Sequence, residues 1–365
     1  MQVGTGLSIA AGVALFAGVP IGHLADRRGP REVQVALVLV TAGLTAVYLL
    51  VTQWWQFVLV ATVIAVLDRG AGAVRGALIA GLVQGAGRAT TKAYLRSVTN
   101  VGMTVGTGIA AIALHFDTRE AYLVVLYVDV ATYAVAALLL ARLPHVPPRP
   151  AGQGLAMLTA LRDLPFVAVV VVSSVVTMQY WIIELAIPLW VVNQTEAPRW
   201  LVAVLMVINT VSVVIGQVAV ARRVVTVEAA VRATLLAGVL FFAACAVFGV
   251  SGQVSAVLAT TLLVSGALLH VVGELAQASA SFVLGFELPP EEAMGQYQGV
   301  WGMTFSISSF LAPTVIALLP LALGAVSWLL HDGILLGASL LTAPTVRWAV
   351  RSQASRLTVE AATNG

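Results

Sequence analysis

Residues 22–32 read GHLADRRGPRE. Asp26, Arg27, Arg28, Arg31 and Glu32 crowd this stretch, whereas the runs on either side, Val3–Ile21 and Val33–Thr52, carry no charge. A helix needs about 20 mostly apolar residues to cross the hydrocarbon core of a bilayer, and both flanking runs have that length. The stretch therefore reads as a short polar loop joining two membrane spans.

The same pattern continues along the chain. Of the 365 residues 60% are hydrophobic and 10% charged, and the mean hydropathy of +0.98 lies outside the usage of soluble domains. Further apolar runs follow over about 56–83, 94–114, 120–141, 165–192, 200–221, 233–250, 254 to the Pro289–Pro290 pair, 297–319 and 325–346. Eleven spans are thus predicted. Strands of a membrane barrel would alternate apolar and polar residues over about ten positions, whereas these runs are continuously apolar and longer. The predicted class is an all-α polytopic membrane protein. The first span lacks a basic leader and is followed at once by arginines, so it is read as a retained helix rather than a signal peptide.

Lys and Arg concentrate in short cytoplasmic loops. Here alternate loops and the tail hold Arg27, Arg28, Arg31, Arg88, Lys92, Arg96, Arg142, Arg149, Arg162, Arg222, Arg223, Arg232, Arg347, Arg351 and Arg356, against Arg119 and Arg199 on the other side. The loop at 22–32 and the C-terminus are accordingly expected in the cytoplasm of a cell (plasma) membrane protein, with Met1 outside. Basic residues spread over five segments form no stripe for nucleic acid. Cys245 is the single cysteine, the five histidines form no HExxH, and no GxxxxGK[ST] loop occurs. No metal site, cofactor or ATP-driven step is expected from them. Nor is there a clustered constellation of the kind a membrane enzyme needs.

From Arg142 to Leu164 the chain reads RLPHVPPRPAGQGLAMLTALRDL, where prolines and glycines prevent a continuous helix. The expected division is a bundle of five helices over 1–141, a cytoplasmic linker at 142–163, a six-helix bundle over 164–348 and a cytoplasmic tail at 349–365. The tripeptide GMT recurs at 102–104 and 302–304, a faint echo of the kind left by internal repeats.

The chain resembles the major facilitator superfamily over essentially its whole length. Gly22, Leu24, Ala25, Asp26, Arg27, Gly29 and Arg31 fill positions of that family's motif A, G-x-L-A-D-R-x-G-R-K, and Pro30 departs from it. The resemblance implies two helical bundles around a cavity and a cytoplasmic latch formed by this loop. It also makes the first span here the family's second helix, so the family's first helix is expected to be missing. On physical grounds Gly22 permits close helix approach and Gly29 a left-handed or tight turn. Asp26 is expected to face the positive end of the helix starting near Arg31. Residues 93–108, AYLRSVTNVGMTVGTG, resemble the fifth-helix motif of drug/proton antiporters through Gly102 and Gly106, with Thr107 in place of proline. Ordinary helix packing through small residues is the other reading of that spacing.

Charges inside a membrane cost roughly 2.5 to 3.5 kcal/mol each and face partners or water. Asp68 and Arg75 are seven apart in the third span and share a helical face, with Arg69 about 100° away. The resemblance places this span at the cavity, where either arginine matches the proton-linked arginine of motif B. His270 and Glu274, at i and i+4 in the ninth span, share a face and are candidates for proton exchange. Glu184, just before Pro188, is a further candidate. Asp129 is read as packing or assembly, and Asp332 as solvated near the outer end of its span. Met178, Tyr180, Trp181, Trp190 and Trp301 are read as packing or interface residues before substrate contacts.

The expected function is that of a secondary transporter, a monomer in the lipid bilayer, coupling protons to efflux of small hydrophobic or drug-like molecules by alternating access. A metabolite importer of the same family, or a truncated partner protein without transport activity, is the alternative.

Overall fold

A computed structural model describes Ala14 and residues 17–148, 158–323 and 325–363. Most of the predicted first span lies outside the described residues, as do positions 149–157 of the linker and the last two of the tail. Helix α1 spans Gly18–Arg28, α2 Pro30–Val47, α3 Trp54–Leu82, α4 Gly87–Phe116, α5 Arg119–Ala141, α6 Leu164–Thr177, α7 Ile187–Gln194, α8 Leu201–Ala221, α9 Val227–Val250, α10 Ala256–Glu287, α11 Met294–Leu323 and α12 Ala325–Thr363. No strand occurs among the described residues. This is the outcome expected in hydrocarbon, where only a helix satisfies its own backbone within one segment. Nine stretches among the described residues are long and apolar enough to cross a membrane.

The breaks have local causes. Gly29 adopts φ +92° between α1 and α2, and Pro30 opens α2, where a missing N–H costs nothing and its fixed φ suits a helix. Thr118, Asp163 and Thr226 cap α5, α6 and α9 by accepting from the amides of Ala121, Phe166 and Ala229. The predicted sixth span is interrupted: between α6 and α7 residues Ile182–Ala186 form a π-turn. Pro188 explains it, because it has no N–H for the carbonyl of Glu184 and its ring crowds that oxygen.

The chain forms two compact units. One consists of Met1–Gly85, Val101–Arg162 and Pro289–Met303, the other of Ala86–Asn100, Asp163–Leu288 and Thr304–Gly365. In the first, α2 packs on α3 and α5, and α1 on α3, around buried Ala25, Val33 and Val74. In the second, α9 packs against α10 and α12, α6 against α12, and α8 against α10. Membrane helices associate through close van der Waals contact, not through exclusion of water, and this unit shows how. Gly238 lets α9 approach Ser339 of α12, and Gly266 lets α10 approach the ring of Phe248. Phe248 and Trp328 lie 5.4 Å apart, Trp190 meets Trp328 edge-on at 5.5 Å, and the Trp190 indole donates to Ser251 at 3.0 Å. Trp190 therefore belongs to the packing core. Large apolar side chains such as Val124, Val135 and Leu138 stand outward on α5, a surface suited to lipid.

Phe248→Ala should destabilise the protein by about 3–5 kcal/mol, through the cavity left beside Trp328 and Gly266. Thermal unfolding in detergent checks this, with Phe248→Leu expected to lose less.

Candidate functional site

Two polar arrangements stand out, one in each unit. In the first unit, Gly18, Gly22 and Asp26 succeed one another at four-residue intervals and so share one face of α1. That face meets α11. A Cβ added to Gly22 would collide with the Gly295 carbonyl, and one on Gly18 would lie 3.2 Å from Gly299. The close approach brings the Asp26 carboxylate onto the first amides of α11: Gly295 N–H donates to Oδ1 at 2.7 Å and Gln296 N–H to Oδ2 at 3.1 Å. Those amides have no acceptor within their own helix, and the helix dipole favours an anion there. This corrects the expected partner of Asp26. Because α1 runs on through Arg28, Asp26 lies within that helix and not at the cap of α2, and its side chain reaches α11.

Around this contact, the Gln296 amide side chain lies 2.9 Å from His23 Nδ1. Partial burial, and then the charge of Arg27, keep His23 below the ordinary histidine pKa, which suits an acceptor role for that nitrogen. Arg31 donates to the Leu143 carbonyl at 2.8 Å and pairs with Glu32 at 3.1 Å, and Glu32 lies 2.8 Å from His145 Nδ1. The loop is thus tied to the start of the linker through Arg31. Arg27 and Arg28 are exposed, and Gly29 makes the turn.

In the second unit, α10 carries Glu274, only 3% exposed. Arg96 donates through Nη2 to its Oε1 at 2.5 Å and through Nη1 to Gln217 Oε1 at 2.8 Å. Asn209 donates to the other carboxylate oxygen at 2.6 Å. Gln217 passes the chain on to Ser279 at 3.0 Å. The guanidinium sits 5.2 Å from the centre of the Tyr180 ring, within the range of a cation–π contact. Glu184, exposed on the π-turn, is close enough to interact electrostatically with Glu274.

Arg96 corrects a sequence expectation. The charge pattern groups it with the cytoplasmic loop cations, but α4 begins at Gly87 and carries it more than two turns into the helix. The signal that could have found it is Glu274 itself, since an intramembrane carboxylate calls for a cation. His270 shares the face of Glu274 as expected, yet each has its own partners. The His270 ring is fully buried, with Nε2 3.2 Å from the Gln179 carbonyl and the Phe241 ring 5.1 Å away.

Other candidates are placed differently. Asp68 and Arg75 are exposed on α3, with Arg69 half-buried. In a membrane such charges face partners or water. Gly102 and Gly106 stand on an exposed stretch of α4, where an added Cβ would meet nothing within 4 Å among the described residues. Asp129 is exposed. Asp332, expected to be solvated, is fully buried, 3.3 Å from His331, because α12 is enclosed by α6 and α9.

A profile of the Major Facilitator Superfamily matches residues 1–313. The chain belongs to this superfamily. No curated protein matches it in sequence. Among solved structures, the human organic anion transporter MFSD10 (TETRAN) superposes with a TM-score of 0.74 at 15% identity, covering 92% of this chain and 82% of that one. A bacterial homologue of the iron transporter ferroportin, outward-facing with soaked iron, gives 0.69 at 15% identity over 95% and 90%. The proton:xylose symporter XylE, bound to 6-bromo-6-deoxy-D-glucose, gives 0.67 at 12% identity over 94% and 86%. At these identities the likeness is one of fold. Major facilitator proteins are transporters of small molecules, and this chain is a multi-pass membrane protein of that family.

Asp26→Ala removes both acceptors from the first turn of α11. With hydrogen bonds to a charged group worth about 1.5–3 kcal/mol, amide exchange at Gly295 and Gln296 should accelerate by about tenfold or more, measured by hydrogen–deuterium exchange in detergent.

Proposed function

We propose that this chain is a proton-coupled secondary transporter of small hydrophobic compounds in the plasma membrane, working by alternating access. Eleven spans, a cytoplasmic C-terminus, a monomeric state and two bundles joined by the 142–163 linker belong to the same reading. The observation that carries it is Glu274. A carboxyl inside an apolar helix, held by one cation and one amide, gains or loses a proton only by rearranging its partners. That links protonation to conformation. Asp26 on the α11 amides supports a latch role for the cytoplasmic loop, since it joins helices far apart in sequence through charge-assisted hydrogen bonds. The exposed face of Asp68 and Arg75 suits a cavity lining, with Arg69 beside it.

Efflux of drug-like molecules is the direction supported by the motif at 93–108 with Gly102 and Gly106. Arg96 favours a second reading, proton-coupled uptake of a metabolite, because a fixed cation beside the proton site serves neutral or cationic drugs poorly. Everted vesicles loaded with a pH-sensitive dye separate the two by whether added compounds drive protons into or out of the lumen. In either direction Glu274→Gln should abolish the coupled proton signal, and Asp26→Asn should slow transport by about fivefold, as expected for about 1 kcal/mol. Unchanged pH-dependent transport in both variants would overturn the assignment.

A further inference from the structure

The Arg96–Glu274 pair has a chemical asymmetry. A guanidinium stays charged at any physiological pH, whereas a carboxylate can be neutralised. The pair therefore opens in one way, by protonation of Glu274, and what remains is a positive Arg96 with its planar donor fork vacated on one side. Breaking a buried pair leaves an uncompensated charge, which costs several kcal/mol unless another anion takes the place.

The surroundings describe that anion. Tyr180 lies beneath the guanidinium at 5.2 Å. The Phe305 ring follows at 6.3 Å from Tyr180 and 6.4 Å from Trp181, and is itself 42% exposed. The Trp181 indole N–H is buried with no hydrogen-bond partner among the described residues. The Arg96 side chain is 18% exposed, so it is not sealed within the protein. An aromatic wall beside a single cation fits a flat apolar body bearing one oxyanion.

We propose that Arg96 is the receptor for the carboxylate or sulfonate of an aromatic organic anion, and that Glu274 occupies it as an internal stand-in until a proton neutralises Glu274. Solvent supplies the proton, the Glu274 carboxyl leaves Arg96 while keeping Asn209, and the ligand oxyanion replaces it. The local charge is the same before and after, so one proton enters with each anion. The two travel together, from the acidic side to the alkaline side. Other ionisable groups facing Glu274 are Glu184 on the π-turn, Tyr180 from the α6–α7 segment and His270 on α10. From α8 come the neutral amides of Asn209 and Gln217, and α9 faces His270 with Phe241. Glu184, ionised, opposes an anion, so its own protonation acts in the same sense.

The inference rests on the proton-coupled reading for its transport consequence, but binding tests it separately. Titration calorimetry of the full chain in detergent, with 1-naphthoate as probe, should give binding about tenfold tighter near pH 5.5 than near pH 8. About one proton should be taken up per anion near pH 8, read from the buffer dependence of the heat. Glu274→Gln should bind equally well at both pH values with no proton uptake, and Glu184→Gln should keep the pH dependence. Arg96→Gln should lose binding, and Arg96→Lys should weaken it by about tenfold, with a retained cooperative unfolding transition and a monodisperse elution profile in detergent as the check on folding. Absence of naphthoate binding by the folded wild type would overturn the proposal. So would binding that survives Arg96→Gln, or equal binding of 1-naphthylmethylammonium that depends on Glu274. Naphthoate that binds as described but does not move with a pH gradient in proteoliposomes would leave the site standing and overturn the transport reading instead.

Discussion

An ionised side chain among apolar helices must meet an opposite charge, hydrogen-bond partners or water, because hydrocarbon supplies none of them. In this protein Glu274 meets all its needs within the protein, from Arg96 on α4 and Asn209 on α8. Gln217 then extends the network to Ser279, back on α10. Three helices are thereby given a fixed register by a few polar atoms, while the aliphatic side chains around them would tolerate sliding. Loss of one partner leaves the other buried and unpaired, which costs more than the pair contributes. The arrangement is accordingly both a constraint on assembly and a place where a proton has a large effect.

The same accounting applies to backbone groups at a helix end. The first amides of α11 have no acceptor in their own helix, and Asp26 supplies one oxygen to each of two. What permits this is the absence of side chains. Gly18 and Gly22 face Gly299 and Gly295, and the aspartate lies one turn further along the same face. A β-carbon at Gly22 would push the helices apart before the carboxylate arrived.

Much of this was legible in the residues. Continuous apolar runs announce helices, since length and lack of alternation leave no other solution in lipid. The glycine, aspartate and turn at 22–29 announced a close crossing and a capping carboxylate. What local pattern could not give was the partner. Sequence spacing assigns Asp26 to the nearer helix start, because α2 follows it closely and nothing in the residues shows that the first turn of α11, 269 residues away, lies against it. Arg96 reads as a loop cation, because positive charge near a span end looks the same whether it faces water or a buried acid. Asp332 failed in the opposite sense. Its place near a span end suggested solvent, but burial depends on the neighbours of α12, which sequence spacing does not reveal. Glu274 was recognised, because one carboxylate in a long apolar helix is conspicuous wherever its partner lies.

The π-turn at Ile182–Ala186 has a consequence for chain length. Such a turn holds one residue more than an α-turn over the same rise, so it amounts to a single surplus residue absorbed in the middle of a span. Elsewhere in the segment, adding or removing a residue would rotate everything beyond it by about 100° and swing Trp190 away from Trp328. Removal at the π-turn would close the ladder to ordinary α geometry and leave the flanking faces in phase. The stretch between Tyr180 and Pro188 is thus the point in this helix where loss of one residue is least disruptive, and it lies beside the buried charges.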